Sequence, residues 1–357
     1  MPVGIIGGRG CGKSVFVSLL ATSAIKYANS PDGKDFRYHT EPAFTEAIGK
    51  IIASLKMQAW PSANLKGTLS EYKLTFGYHR RVAGVADDAV QAATFKKGRL
   101  PARQTYNIVK FNLYDIAGED VEAIKHVAES ARKRQIVMSE ELPKDLRTLL
   151  DCNVLVFLID ASKMTTDPKD SRFKSMVEYD NLMADLMSLV AVYKSRPGAM
   201  QQGQKLYPVF VLTKFDAIDP EIIQTIGIPQ DYVAWLHHLR QKSKRVLPFV
   251  DKGQAERNEI AKRFMNEFMS HTQAQKGGAW LKGVDMDRSH FNFSYIATEL
   301  NDEGVPVPRL KVNSGTSGVD LDYSESEYRV FIDYFGKISR DIRDVDETGK
   351  IESEFTR

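Results

Sequence analysis

Only two cysteines occur among the 357 residues, Cys11 and Cys152. That argues against a disulfide framework or a cysteine-built metal site, and it points to a reducing, cytosolic setting. Long apolar runs are missing as well: none approaches the ~18 residues that a membrane-spanning helix needs. The first strand pattern begins at Val3, which predicts no secretory leader ahead of it. Pro2 does not fit N-myristoylation and the final EFTR carries no prenylation cysteine, so membrane contact is expected only through a partner. An excess of one charge is lacking too. The 49 Lys and Arg against 46 Asp and Glu leave a net +3, too little to imply a nucleic-acid partner. Two basic runs stand out locally, Lys96, Lys97, Arg99 and Arg103, and then Arg240, Lys242, Lys244 and Arg245 beside His237 and His238. Neither is interleaved with the aromatics that base stacking uses, so both read first as solvated faces and second as contacts for phosphate or an acidic partner. No internal repeat is visible. What is present, 43% hydrophobic and 27% charged residues, is the composition of a globular chain with a large core.

The most specific signal is GGRGCGKS, residues 7 to 14, which follows the apolar run VGII. It fits G-x-x-x-x-G-K-[ST] through Gly7, Gly12, Lys13 and Ser14. Gly7, Gly10 and Gly12 let the backbone around Cys11 fold back, so that successive N–H groups cradle phosphates. Lys13 would reach the β- and γ-phosphates, and the Ser14 hydroxyl would ligate Mg²⁺. VGII reads as a buried strand, and Val15, Leu19, Leu20 and Ile25 follow near helical spacing. Strand, glycine turn and helix N-terminus together form an anion site.

Two further motifs select the nucleotide. FNLYDIAGED ends a strand at Asp115, with Gly118 three residues on. An acid there can hold the water shell of Mg²⁺, and the glycine N–H can sense a γ-phosphate. VFVLTKFDAID carries Thr213-Lys214-Phe215-Asp216 after another apolar strand. T-K-x-D matches the guanine-reading pattern [NT]-K-x-D. A carboxylate at Asp216 accepts from guanine N1–H and the 2-amino group, a pair that adenine cannot offer, while the Lys214 stem packs on the base.

Strands are expected over residues 3–7, 72–79, 107–115, 154–160, 207–213 and 291–297, with helical patterns between most of them. That predicts an α/β fold: a three-layer P-loop domain around a mostly parallel six-stranded sheet with one antiparallel strand, plus helical insertions. One domain is expected over 1–343, with insertions at 36–69, 80–104 and 217–289, and a flexible tail over 344–357. In the last insertion Tyr232, Trp235, Leu236 and Leu239 mark one helix, and Ile260, Phe264 and Phe268 a second. Ser324 and Glu327 read as a capping box that opens a closing helix.

On these motifs the chain resembles the P-loop GTPases of the Ras-like, translation-factor-related class. D-I-A-G-E and the stretch Trp60-Pro61…Gly67-Thr68 look more like the prokaryotic double-GTPase families. The resemblance implies GTP/GDP and Mg²⁺ binding, hydrolysis and a nucleotide-dependent switch that engages a protein effector or regulator. It implies Thr68 as the switch threonine on Mg²⁺, with Thr40, Thr45 and Thr75 as rivals, and it implies that Ala297 and Thr298 bring backbone to the base oxygen. Ile296 stands where a serine is usual in that last element. Ras has glutamine after the D-x-x-G glycine, whereas this chain has Glu119, whose charge beside a γ-phosphate predicts slow turnover. Arg9 stands where Ras has glycine; it is either a cis arginine finger or a solvent-facing side chain. Two other readings stay open: a scaffold that holds GTP without hydrolysing it, and a P-loop ATPase in which T-K-F-D is accidental. The excursion 80–104, between the switch-linked strands, is the expected effector contact.

Overall fold

The computed structural model describes residues 1–8, 10–61, 73–79, 106–113, 126–127, 144–194, 206–244, 252–269, 289–312 and 318–341. Arg9, Thr68, Asp115, Gly118, Glu119, the 80–104 excursion and the 344–357 tail lie outside the described residues.

Seven strands form the main sheet: β1 (Pro2–Gly7), β2 (Phe36–Thr40), β3 (Lys73–His79), β4 (Tyr106–Leu113), β5 (Val154–Asp160), β6 (Tyr207–Thr213) and β7 (His290–Ser294). Their order is β2-β3-β4-β1-β5-β6-β7. β3 pairs antiparallel with both β2 and β4, and every other pair is parallel, so β3 alone runs against the rest. The expected six strands are therefore seven. The extra one, FRYHT, is short and sits at the sheet edge with only Phe36 fully buried and Arg37 and His39 exposed, too brief a pattern to stand out as a strand.

β5 and β6 are buried at every position. Leu155, Phe157 and Ile159 enter one core, and Val154, Val156 and Leu158 the other. A strand covered on both faces reads as an unbroken apolar run, which is why both were plain in the sequence. One layer holds α1 (Lys13–Ala28), α2 (Pro42–Lys56) and α8 (Glu325–Asp341). The opposite layer holds α3 (Lys144–Leu150), α4 (Ser171–Lys194) and α7 (Lys252–Phe268), flanked by α5 (Pro220–Thr225) and α6 (Tyr232–Lys244). Leu236 of α6 and Ile260, Phe264 and Phe268 of α7 are buried in that second core, as their spacing predicts. After β7 the chain makes two hairpins, β8 (Thr298–Leu300) with β9 (Pro306–Pro308) and β10 (Leu310–Val312) with β11 (Val319–Leu321).

The capping box does not form. α8 begins where expected, but the Ser324 hydroxyl accepts from the Tyr295 N–H at 3.1 Å. The Glu327 carboxylate instead grips Arg257 through two 2.8 Å contacts, both side chains essentially inaccessible to solvent. Arg257 also donates to the Phe291 carbonyl at 2.8 Å, and Glu327 accepts from the Phe293 N–H at 3.4 Å. The ion pair thus meets one outward carbonyl and one outward N–H of edge strand β7, while Arg257 Nε finds no partner among the described residues. Beside it, His290 stacks on Tyr334 at 4.0 Å. Burial, and secondarily the Arg257 charge, hold its pKa well below the ordinary histidine value, so it is neutral.

Candidate functional site

β1 feeds directly into the loop ahead of α1. A Cβ on Gly7 would meet the Cys11 sulfur at 2.5 Å and the Leu158 carbonyl oxygen at 3.2 Å, so only glycine fits. Gly10 and Gly12 have φ of 76° and 84°, a region that side chains rarely adopt. Gly12 is the N-cap of α1 and brings no side chain to occupy the first-turn amides, which leaves the helix terminus in the form that anions use. Lys13 is buried and folds back over the loop, donating to the carbonyls of Gly7 at 2.6 Å and Gly8 at 3.0 Å.

The T-K-F-D stretch is tied to this loop. The Thr213 hydroxyl at the end of β6 donates to the Cys11 carbonyl at 2.7 Å, with the Ile159 carbonyl at 3.2 Å. Lys214 follows in the left-handed region, φ 52°, and its ammonium pairs with Asp160 at 2.7 Å. Asp160 in turn accepts from the Ser162 backbone and hydroxyl at 3.2 and 2.5 Å. Asp216 is exposed at the rim, yet the surrounding protein desolvates its carboxyl enough to push the pKa above the usual value, partly offset by its own backbone N–H and by Lys214.

One cleft of about 560 Å³ joins these parts. Gly10 to Phe16 line one end, and Thr213, Lys214, Asp216 and Ala217 line another wall. Ser294, Tyr295, Ile296 and Thr298 complete it, together with Ile51, Trp60 and Pro61. Ser14 lines the cleft beside the loop; it is the one described residue of the three that the sequence assigns to Mg²⁺.

Ala297 does not line the cleft. Its N–H donates to the Asp322 carbonyl at 2.8 Å and its carbonyl accepts from Arg309 at 2.7 Å. Ile296 bridges Tyr323 between this bond and the one from Ser324 N–H to the Tyr295 carbonyl. In that antiparallel register the amide of Ile296 itself points away from Tyr323. None of the rival threonines reaches the cleft: Thr40 ends β2, Thr45 bonds the Glu41 carbonyl inside α2, and Thr75 pairs with Lys110 within the sheet.

Sequence reasoning missed Asp160, Ile296 and the wall made by Ile51, Trp60 and Pro61. Asp160 had a visible signal, a lone acid that ends the apolar run VLVFLID. Ile296 lay one residue from Ala297 in the element that the resemblance placed at the base, and Trp60 and Pro61 in a stretch quoted only for the family likeness; Ile51, inside α2, had no signal. Backbone strain also marks the place. Among the described residues, the non-glycine residues with positive φ are Gln58 and Lys214, one beside each wall of the cleft.

The fold and the loop define a mixed α/β protein with a P-loop-like fold. No protein-family model matches the chain, and no curated protein does. Among solved structures it is similar to the "Signal recognition particle receptor SRb-GTP/SRX complex from Chaetomium thermophilum". That match spans 85% of this chain and 96% of the other at 14% identity and a TM-score of 0.30, a likeness too slight to carry any argument. Among the described residues no helix is long and apolar enough to cross a membrane.

Proposed function

We propose that the cleft binds a guanine nucleotide, GTP or GDP, with Mg²⁺, and that the chain hydrolyses GTP slowly and acts as a nucleotide-dependent switch for a protein effector. The observation that carries this reading is one cleft lined both by Gly10–Phe16 and by Thr213, Lys214 and Asp216, cross-linked by the Thr213–Cys11 hydrogen bond. Phosphates would lie on the α1 N-terminus under Lys13. The base would lie toward Asp216, whose carboxylate accepts from N1–H and the 2-amino group. Ile296 N–H is better turned toward a base oxygen than the committed amide of Ala297. Mg²⁺, when bound, neutralises phosphate charge; Ser14, Thr68 and Asp115 would hold it. Gly118 would sense the γ-phosphate, the charge of Glu119 beside it would slow turnover, and Arg9 would serve as a cis finger or face solvent.

Competition between GTP and ATP tests the base assignment. GTP should win by orders of magnitude, and Asp216→Ala should weaken it by about two orders of magnitude or more, since two hydrogen bonds to a charged acceptor contribute roughly 1.5–3 kcal/mol each. Equal affinity of the wild type for both nucleotides overturns the guanine reading. Single-turnover hydrolysis separates the switch from a GTP-locked scaffold, the reading that Glu119 favours.

A further inference from the structure

The end of α2 contains a residue of the wrong type for its conformation. Gln58 N–H donates to the Leu55 carbonyl and Ala59 N–H to the Ser54 carbonyl, each at 3.0 Å, which is a Schellman ending with Gln58 in the left-handed position, φ 56°. Glycine is the usual occupant there, because a Cβ strains that backbone. The side chain accepted in its place crosses to the β8–β9 hairpin. Gln58 Nε2 donates to Glu299 Oε1 at 2.5 Å and lies 3.4 Å from the Pro308 carbonyl. Two residues on, the Trp60 indole N–H donates to the Pro306 carbonyl at 3.0 Å.

The hairpin is made to receive these donors. Pro306 faces Leu300 and Pro308 faces Thr298, while the Asn301–Val305 and Arg309–Ala297 bonds flank those pairs. Both proline carbonyls therefore point away from β8, and proline has no N–H on that edge. The hairpin is also held firmly. Asn301 Oδ1 accepts from the N–H groups of Glu303 and Val305 at 3.0 and 2.8 Å. At its base, Ala297 N–H bonds the Asp322 carbonyl, Asp322 N–H the Arg309 carbonyl, and Arg309 N–H the Ala297 carbonyl, a closed ring of three bonds. Trp60 and Pro61 line the cleft on one side of this junction, and Ile296 and Thr298 on the other.

We infer that Gln58, Trp60 and Glu299 form a clasp across the base end of the cleft and that this clasp slows nucleotide release. They are positioning residues: they join two walls and leave the phosphates to the loop. The inference rests on the guanine-nucleotide reading above.

The test measures release of a fluorescent GDP analogue from the full chain, chased with excess GDP. Gln58→Gly, Trp60→Phe and Glu299→Ala should each release it faster, by about three- to tenfold for one hydrogen bond. The double variant Gln58→Gly/Glu299→Ala should be no faster than the quicker single one, because both changes break the same bond. Gln58→Gly carries a second signature: its melting temperature should stay level or rise, since glycine relieves the strained position, while retention falls. A purely structural role would move both in one direction. Wild-type release rates in all three single variants, or additive rates in the double variant, overturn the clasp alone. Failure of the wild type to retain any guanine nucleotide overturns the reading of the site, and the clasp's role with it.

Discussion

At the end we propose for the phosphates, one continuous stretch supplies the described groups: β1, three glycines, Lys13 and the start of α1, all within residues 2–28. At the end we propose for the base, three segments meet that lie far apart along the chain, with about 150 residues between the first two and nearly 80 between the last two: 60–61, 213–217 and 294–298. The first is fixed largely by local backbone geometry, since Gly10 and Gly12 take positive φ and Gly12 sets the helix start, with Leu158 of β5 closing the space beside Gly7. The second is held by tertiary hydrogen bonds, from Thr213 to Cys11, Lys214 to Asp160 and Trp60 to Pro306. A local device tolerates changes elsewhere in the fold; an assembled one inherits every weakness of its supports.

The largest effect expected from breaking this contrast is at Lys13. Its ammonium is buried over the loop, and its removal takes away the cation we propose for two phosphates, about 1.5–3 kcal/mol for each charge-assisted contact. Lys13→Ala should abolish nucleotide and pyrophosphate binding by calorimetry while the protein stays folded. Undiminished binding would argue against the phosphate loop.

How much of this was legible follows from the same contrast. GGRGCGKS needs no distant partner to be understood, and β5 and β6 declare themselves because both faces are covered. T-K-F-D could be read as a motif, but not its anchor: Asp160 lies 54 residues from Lys214. The Ser324–Glu327 spacing fits a capping box equally well whether or not Arg257 waits 70 residues away to take the carboxylate. β2 escaped because an edge strand needs to bury little, and Phe36 alone is fully covered. A strained glutamine at position 58 leaves no sequence pattern, because left-handed geometry is visible only in the fold.

A second, smaller effect probes the supports of the base end. Glu327→Ala leaves the Arg257 charge buried without its partner, which costs about 3–5 kcal/mol of folding stability in such sites. It also frees the edge of β7, the strand that leads into Ser294–Thr298. Denaturant unfolding should show the loss. In the fraction that remains folded, GTP affinity should fall while pyrophosphate affinity stays at the wild-type level. Equal losses for both ligands would mean that the two ends are not separately built.

The smallest effect concerns Asp216 and opposes stability to binding. Burial raises its pKa in the folded, ligand-free protein above the unfolded value. The sign follows: the stabilising contribution of the protonated form is complete below the ordinary carboxylate pKa of about 3.9 and is lost as pH rises through the raised folded value. At pH 7 the ionised group is therefore a mild liability, kept small by its exposure at the rim. Asp216→Asn should raise the melting temperature of the ligand-free protein by about 1–2 °C at pH 7, with the gap closing as pH falls toward 4. Saturating GDP should reverse the order, because only the carboxylate accepts from both N1–H and the 2-amino group of guanine. Asparagine offers one acceptor and one donor, which suits the N1–H and 2-oxo edge of xanthine, so the corresponding xanthosine diphosphate should restore the ligand-induced rise to the variant. A variant less stable than wild type at every pH, and indifferent to the choice of base, would place Asp216 among the structural residues of the rim and leave the base end without its reader.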